Sequence, residues 1–257
     1  MRPNSLLNIL AFALVLTVNY LSISAPLNGR TPAQLSDLYP NLFVPAGLTF
    51  AIWGVIYTWL LVWVGAQVVA LFNGNIRERI EPGVQKAGWW FPLTCFLNAA
   101  WLFAWHWQQV LLSVLIMVGL LWTLWQLNQA LLTGIPKADQ REKWLLHAPL
   151  GLYQGWITIA LIANVTALLV SYGWHGGSVG ERDWTFMMIL AGTMVSNMVV
   201  RKTNNVFHSL AVAWALAGIA LKRSAAGDAG NLVTISALCA VLVLFWAGMR
   251  WRQWLAY

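Results

Sequence analysis

The sequence predicts an all-α integral membrane protein with about eight transmembrane helices. Of its 257 residues, 60% are hydrophobic and only 9% are charged, whereas an ordinary soluble domain has roughly 25% charged residues. The hydrophobic residues fall in continuous runs, which favours helices over the alternating pattern of a membrane β-barrel. Most runs also reach the roughly 20 residues that a helix needs to cross a hydrocarbon core of about 30 Å.

The predicted spans are the long apolar runs of the chain. They are Leu6–Ile23, Leu48–Phe72, Trp89–Trp107, Val110–Leu132, Ala148–Val170, Trp184–Val200, Val206–Leu221 and Leu232–Met249. The first run also fits a cleavable signal peptide, although its length and Asn19 favour a retained helix. The sixth and seventh runs are short, so that tilted spans and a re-entrant pair are both consistent with them.

The formal charge of +7 follows the predicted topology. Of the 15 Lys and Arg residues, 11 lie on the side of the N-terminus, and only four lie on the other side. The 11 are Arg2, Arg77, Arg79, Lys86, Lys137, Arg141, Lys143, Arg201, Lys202, Arg250 and Arg252. The positive-inside rule therefore predicts cytoplasmic N- and C-termini, in a bacterium at the plasma (inner) membrane. Because the excess charge is a topology signal, no nucleic-acid partner is expected.

The sequence offers little support for catalysis or metal binding. Cys95 and Cys239 lie inside predicted helices without a Cys-x-x-C motif, as small buried hydrophobic residues do. The four histidines form no haem-ligation motif; they are His106, His147, His175 and His208. The spans contain almost no charge, which argues against a proton relay or an ion pathway. An enzyme is therefore not the favoured interpretation, and no metal site is predicted.

Turn residues connect the spans. A long loop follows Ala25, and the pair Gln108–Gln109 joins the third and fourth spans so closely that they must be antiparallel neighbours. Asn73-Gly-Asn75 and Glu81-Pro-Gly83 bracket a basic loop. The first five spans are rich in aromatic residues and amides, whereas the last three are plainer, so we expect a division into residues 1–171 and 172–257.

Tryptophan is abundant, with 18 residues. Those near span ends are typical of an interfacial aromatic belt; they are Trp59, Trp89, Trp90, Trp144, Trp174, Trp184, Trp251 and Trp254. Others share helix faces with amides at three- and four-residue spacing. These stripes are Phe50, Trp53 and Tyr57; Asn98, Trp101 and Trp105; Trp122, Gln126 and Gln129; and Tyr153, Trp156, Ala160 and Asn164.

The stripes are consistent with two interpretations, ordinary packing between helices and the wall of a ligand cavity. Unpaired amides are costly in hydrocarbon, so the stripes should face inward. Gly151 and Gly155 form a Gly-x-x-x-Gly motif that favours close helix packing. Several stripes together also suit a cavity for a flat, apolar and partly polar ligand.

Three motifs resemble one known family. Their order and spacing are similar to those of motifs in the TspO/MBR family of tryptophan-rich sensory or translocator proteins. The three motifs are Phe50-Ala-Ile-Trp53-Gly-Val-Ile-Tyr57, Leu97-Asn98-Ala-Ala-Trp101, and Leu152-Tyr153-Gln-Gly-Trp156 with Asn164 eight residues further on. The resemblance covers roughly residues 1–171. The chain departs from the family pattern at Leu152, where the family has proline, and in its three additional helices.

The resemblance implies a TspO-like five-helix bundle with a pocket that opens toward the first loop and binds porphyrins and other hydrophobic ligands. The site residues that it implies are Trp53, Asn98, Trp101, Tyr153, Trp156, Ala160 and Asn164, and the aromatic stripes add Tyr57 and Trp105 to the predicted site. Aromatic rings would stack on the ligand, amides would orient its carboxylate or carbonyl, and Ala160 would leave room for it. Asp37, Tyr39 and Pro40 would form a lid. A homodimer is also a family feature.

The function expected from the resemblance is a membrane receptor, sensor or carrier for a planar hydrophobic molecule, such as a porphyrin- or haem-like tetrapyrrole. No resident cofactor is predicted beyond such a ligand. A transporter of small hydrophobic molecules, an enzyme that degrades porphyrin, and an assembly partner whose Trp stripes bind other helices are the alternatives.

Overall fold

The computed structural model describes residues 3–132, 140–228 and 230–256, and all regular structure in these residues is helical. The α-helices are α1 (Pro3–Ser24), α2 (Pro32–Ser36), α3 (Ile52–Ala70), α4 (Gly74–Ala87), α5 (Trp90–His106), α6 (Val110–Leu132), α7 (Gln140–Glu142), α8 (Ala148–Ser171), α9 (Glu181–Thr203), α10 (Val206–Ala225) and α11 (Asn231–Ala256). Two 3₁₀ turns, Leu27–Gly29 and Gly47–Ala51, and a π-helical turn, Lys143–His147, complete them.

The long helices confirm the predicted class of an all-α, multi-pass membrane protein. Seven helices of the described residues are long and apolar enough to cross a membrane, and α5, with 17 residues, is the shorter eighth. α9 has 23 residues and α10 has 20, which favours two full spans over a re-entrant pair.

The eight long helices of the described residues bring Pro3 and Ala256, the first and last of these residues, to one end of the bundle. We call this end the termini face. The opposite end, the loop face, carries residues 25–51, 172–180 and 226–228 of the connections. The cytoplasmic location of the termini face stays a prediction from the distribution of Lys and Arg.

The connection between α5 and α6 is as short as the sequence predicts. α5 ends at His106 and α6 begins at Val110. Gln108 turns the chain with a φ of 55°, in the left-handed region that few non-glycine residues adopt. The two helices therefore pack as antiparallel neighbours.

The prediction of a basic loop bracketed by Glu81-Pro-Gly83 is wrong, because α4 continues through Pro82. Asn73 caps this helix, accepting a hydrogen bond from the Ile76 amide at 3.2 Å. Proline removes one backbone donor, but α4 buries Val84 and Ala87 against the bundle. Packing of this buried face stabilises the helix. The turn residues Glu81-Pro-Gly83 alone do not indicate that packing.

The Gly-x-x-x-Gly motif of α8 packs against α10. A Cβ atom at Gly151 would overlap the side chain of Asn205, and one at Gly155 would overlap the backbone carbonyl of His208. The predicted close helix contact is thus present. Buried residues of α8 and α10 belong to one continuous hydrophobic core that includes the helices on either side of residue 171.

A polar contact reinforces this junction. The buried His208 ring places Nε2 3.2 Å from Thr158 Oγ1 of α8 and Nδ1 3.3 Å from Ser196 Oγ of α9. One histidine therefore links three helices, which is a structural role for an imidazole inside the bundle.

The expectation that the stripe of Trp122, Gln126 and Gln129 faces inward is wrong for Trp122, whereas Gln126 and Gln129 are half-buried. α6 instead buries the neighbouring face with Thr123, Leu124, Leu127 and Asn128, and Trp122 is 54% exposed. Because α6 packs against both α5 and α8, its buried face follows from these two neighbours, whereas residue spacing alone does not choose between adjacent faces.

The predicted belt tryptophans divide into two kinds. Trp89 is 73% exposed, as an interfacial indole should be. Trp254 is buried, and its ring lies 4.9 Å from that of Trp144 and 5.2 Å from that of Phe207. At the termini face the belt therefore includes a packed aromatic cluster that joins α11 to the rest of the bundle.

Candidate functional site

A small aromatic cavity lies between α3, α5 and α8 under the first loop. Its volume is about 50 Å³. Eleven residues line it, mostly aromatic or small and apolar: Ser36, Pro45, Phe50, Trp53, Trp101, Trp105, Trp156, Ile159, Ala160, Ala163 and Asn164. We call this space the aromatic cavity.

Six of the nine predicted site residues line the aromatic cavity: Trp53, Trp101, Trp105, Trp156, Ala160 and Asn164. Two of the others support the wall from behind. The Tyr57 ring stacks on Trp53 at 5.4 Å, and Tyr153 meets Trp53 edge-on at 5.7 Å. The third, Asn98, lies behind this layer and bonds to Tyr57.

Four indoles form a continuous wall. Trp53 lies 6.4 Å from Trp101 and 6.2 Å from Trp156, measured between ring centroids. Trp101 and Trp105 stack at 6.3 Å with an interplanar angle of 16°. The wall arises because the three- and four-residue spacing on each helix brings these rings to one side, and aromatic pairs at such distances attract one another.

Asn164 is already engaged by protein groups. Its Oδ1 accepts a hydrogen bond from Trp101 Nε1 at 3.0 Å, and its Nδ2 donates to Ser113 Oγ at 2.9 Å. This bridge joins α5, α6 and α8 and fixes the plane of the Trp101 ring. A ligand would meet an amide that is held in place rather than a free one.

Asn98 forms a second junction. Its Oδ1 accepts hydrogen bonds from Tyr57 at 2.9 Å and from Asn19 Nδ2 at 3.0 Å. Asn98 Nδ2 is buried and has no partner among the described residues. The arrangement links α1, α3 and α5. Asn98 therefore supports the aromatic wall from behind and does not line the aromatic cavity.

One aromatic donor of the site lacks a partner. Trp156 Nε1 is buried and has no hydrogen-bond partner within the described ranges. Buried donors are normally paired, so each such group calls for an acceptor. An acceptor atom on a bound molecule would supply one for Trp156, which lines the cavity.

The first loop covers the aromatic cavity. Trp105 Nε1 donates to the carbonyl of Pro32 at 3.3 Å, and Asn28 Nδ2 donates to the carbonyl of His106 at 2.9 Å. The Tyr39 ring packs on Trp105 at 5.8 Å, and partial burial raises the pKa of the Tyr39 phenol above its ordinary value of 10.0. These contacts hold the loop down on the bundle.

Asp37 and Pro40, the other predicted lid residues, do not line the aromatic cavity. They line a neighbouring polar recess instead. Asp37 Oδ1 forms an ion pair with Lys222 Nζ of α10 at 2.7 Å. Of the predicted lid residues, Tyr39 therefore lies over the aromatic wall, whereas Asp37 contacts α10.

Five lining residues were absent from the predicted site: Ser36, Pro45, Phe50, Ile159 and Ala163. Ile159 and Ala163 lie three and seven residues after Trp156, so helical spacing would have found them. Phe50 heads the predicted stripe of Trp53. Ser36 and Pro45 come from the loop, where no periodicity indicates which side chains point inward.

The histidines do not contribute to the aromatic cavity. His106 is fully buried, and its Nδ1 lies 2.7 Å from the carbonyl oxygen of Leu102. No group of three or more His, Cys, Asp or Glu residues suited to a metal ion occurs in the described part of the chain. Cys95 and Cys239 are buried free thiols, as the sequence predicts.

Comparison with known proteins identifies the family. A family model described as TSPO-like protein matches residues 5–250. No curated protein and no solved structure gives a significant match to the chain. The matched region contains the aromatic cavity and continues through α9 and α10 into α11. The chain belongs to the TSPO-like protein family.

Proposed function

We propose that this protein is a membrane receptor, sensor or carrier that binds a planar hydrophobic ligand, a porphyrin- or haem-like tetrapyrrole, in the aromatic cavity. Membership in the TSPO-like family supports a membrane sensing or binding role in general. The site belongs to residues 1–171, and residues 172–257 support it from outside. The observation that carries the proposal is a wall of four indoles in which the buried Trp156 N–H has no acceptor among the described residues.

The chemistry of the wall suits such a ligand. Indole faces provide large, flat, apolar surfaces that stack on a conjugated ring. Trp156 Nε1 would donate to a polar edge of the bound molecule, which relieves the cost of an unpaired buried donor. The small side chains of Ala160 and Ala163 leave space for the ligand on one side of the aromatic cavity. The expected contacts are therefore apolar stacking with very few hydrogen bonds.

The volume of the aromatic cavity sets a condition on binding. At about 50 Å³ it is far below the roughly 300–1,000 Å³ of typical ligand pockets. A tetrapyrrole therefore requires the loop, the indole rings or both to move outward. Movement of the loop would have to release the contacts by which Tyr39 and Pro32 rest on Trp105.

The proposal is tested by titrating the detergent-solubilised protein with protoporphyrin IX and following the Soret band of the porphyrin. Saturable binding is expected. Replacing Trp53 and Trp156 together by phenylalanine should weaken binding by roughly fivefold, because it reduces the stacking surface and removes the Trp156 donor, whose hydrogen bond contributes about 1 kcal/mol.

The matched control replaces two exposed indoles, Trp89 and Trp122, by phenylalanine. This control should leave the affinity unchanged. The proposed site is wrong if the Trp53/Trp156 variant binds as tightly as the unaltered protein, or if the control loses affinity equally. Porphyrin flux in proteoliposomes separates a carrier from a receptor, since a receptor moves none.

A further inference from the structure

A polar recess of about 470 Å³ lies beside the aromatic cavity at the loop face. Ser36 lines both spaces, so that the two adjoin. The titratable and charged residues of the recess are Asp37, His175, Glu181, Lys222 and Arg223. We call this space the polar recess. Its two cations belong to the last turn of α10 and therefore to the helices that follow the five-helix bundle.

The two cations differ in their bonding. Lys222 Nζ is paired with Asp37 Oδ1 at 2.7 Å. Arg223 Nε is buried, and no hydrogen-bond partner for it exists among the described residues. A buried guanidinium N–H without an acceptor is costly, and its planar donors match the two oxygens of a carboxylate. The Nε of the half-buried Arg223 is thus a donor without an acceptor among the described residues.

α10 is fixed to the loop side of the aromatic cavity. The Ala46 amide donates to the carbonyl of Gly218 at 3.0 Å, and Trp214 Nε1 donates to the carbonyl of Thr49 at 2.8 Å. These bonds hold α10 against the segment that carries Pro45 and Phe50 of the cavity lining. Lys222 and Arg223 therefore keep a defined position relative to a ligand in the aromatic cavity.

We propose that the polar recess binds the carboxylate of an amphipathic ligand whose planar apolar body occupies the aromatic cavity. The carboxylate accepts hydrogen bonds from Arg223 and takes the place of Asp37 at Lys222. This inference rests on the proposed function and narrows the ligand to an anionic amphiphile. It also gives the C-terminal helices a role, because α10 supplies both cations.

The charge of the polar recess explains why the carboxylate exchanges with Asp37. Asp37 and Glu181 already balance Lys222 and Arg223 in formal charge. A further anion is accommodated when Asp37 leaves Lys222, since the two carboxylates compete for one ammonium group. Release of Asp37 removes one contact between the first loop and α10, so that binding favours the loop movement that the small aromatic cavity requires.

The test compares protoporphyrin IX with its dimethyl ester, which has the same ring system and no carboxylates. The full-length protein in detergent is titrated with each. The combined Lys222→Gln and Arg223→Gln variant should bind the acid roughly tenfold more weakly but the ester no more weakly than the unaltered protein does, because hydrogen bonds to charged groups exceed neutral ones in strength. Asp37→Asn should tighten binding of the acid more than that of the ester, because both probes gain from the looser loop and only the acid gains a free Lys222.

The matched control is Arg201→Gln with Lys202→Gln, which removes the same two charges at the termini face and should affect neither probe. Arg223→Lys, which keeps the charge and loses the planar donors, serves as a second variant if the double variant fails to fold. It should weaken binding of the acid, whereas binding of the ester should not change.

Three results contradict the inference. If all variants bind the acid and the ester as the unaltered protein does, the polar recess is not a carboxylate site, while the aromatic cavity stands. If acid and ester lose affinity equally, the α10 cations act on the fold of the loop and not on the ligand. If the unaltered protein binds neither probe, the proposed function fails, and this inference fails with it.

Discussion

Gly155 in α8 lies directly against the backbone carbonyl of His208 in α10, so that any side chain at position 155 would overlap it. Two residues earlier and one later, α8 presents Tyr153 and Trp156 to the aromatic site. The same turn of one helix therefore supports the ligand site on one side and holds the C-terminal helices on the other. A change in the α8–α10 contact should therefore alter both the ligand site and the packing of the C-terminal helices.

Gly155→Ala is expected to destabilise the protein by about 1–3 kcal/mol, the usual cost of adding a methyl group to a closely packed interface. The His208 carbonyl belongs to the backbone of α10, so it cannot move aside without displacing the helix. Thermal unfolding in detergent measures the loss as a lower Tm. Gly65→Ala in α3 is the matched control, since a Cβ atom there meets nothing within 4 Å.

The control should unfold at the same temperature or slightly higher, because alanine favours a helix by roughly 0.5–1 kcal/mol over glycine. Equal Tm values for Gly155→Ala and Gly65→Ala would show that α8 and α10 do not pack this closely.

Asn164→Leu is expected to destabilise the bundle by about 1–2 kcal/mol, because it removes the acceptor of Trp101 Nε1 and the donor to Ser113 Oγ. Ser113→Ala removes only one of these bonds and should cost less. Chemical or thermal unfolding of both single variants and of the double variant measures the coupling. Additive losses would mean that the bridge between α5, α6 and α8 is not a unit.

The fold could be predicted from the sequence where its signal is local. Runs of apolar residues identified all eight long helices, since each must satisfy its own backbone within hydrocarbon. The path of α4 through Pro82 was missed because the packing of Val84 and Ala87 comes from other parts of the chain. The inward face of α6 was missed for the same reason, since its neighbours α5 and α8 determine it.

The site was predictable along helices and not across the loop. Trp53, Trp101 and Trp156 share faces with other aromatic residues, and the structure brings them to one wall. Ser36 and Pro45 reach the aromatic cavity from segments without periodicity. The pairing of Asp37 with Lys222 joins residues 185 positions apart, and no local pattern in the sequence indicates such a contact.

Trp105→Phe is expected to loosen the first loop, because it removes the donor of the bond to the Pro32 carbonyl. The loss of one hydrogen bond of about 1 kcal/mol raises the open population by roughly fivefold. Hydrogen exchange of peptides from residues 26–40 measures the change. Trp107→Phe is the control, since Trp107 is 50% exposed and packs on Phe103; faster exchange in both variants would remove the assigned role of Trp105.

Trp214→Phe is expected to loosen the segment at residues 45–51, which α10 holds through the bond from Trp214 Nε1 to the Thr49 carbonyl. Exchange of amides in this segment should rise by roughly fivefold, while exchange within α5 and α6 should stay constant. Thr49→Val is an informative control, because it removes the hydroxyl and keeps the backbone carbonyl that accepts the bond. If Thr49→Val loosens the segment as much as Trp214→Phe does, the side chain of Thr49 and not the indole N–H holds it, and α10 acts on the loop by packing alone.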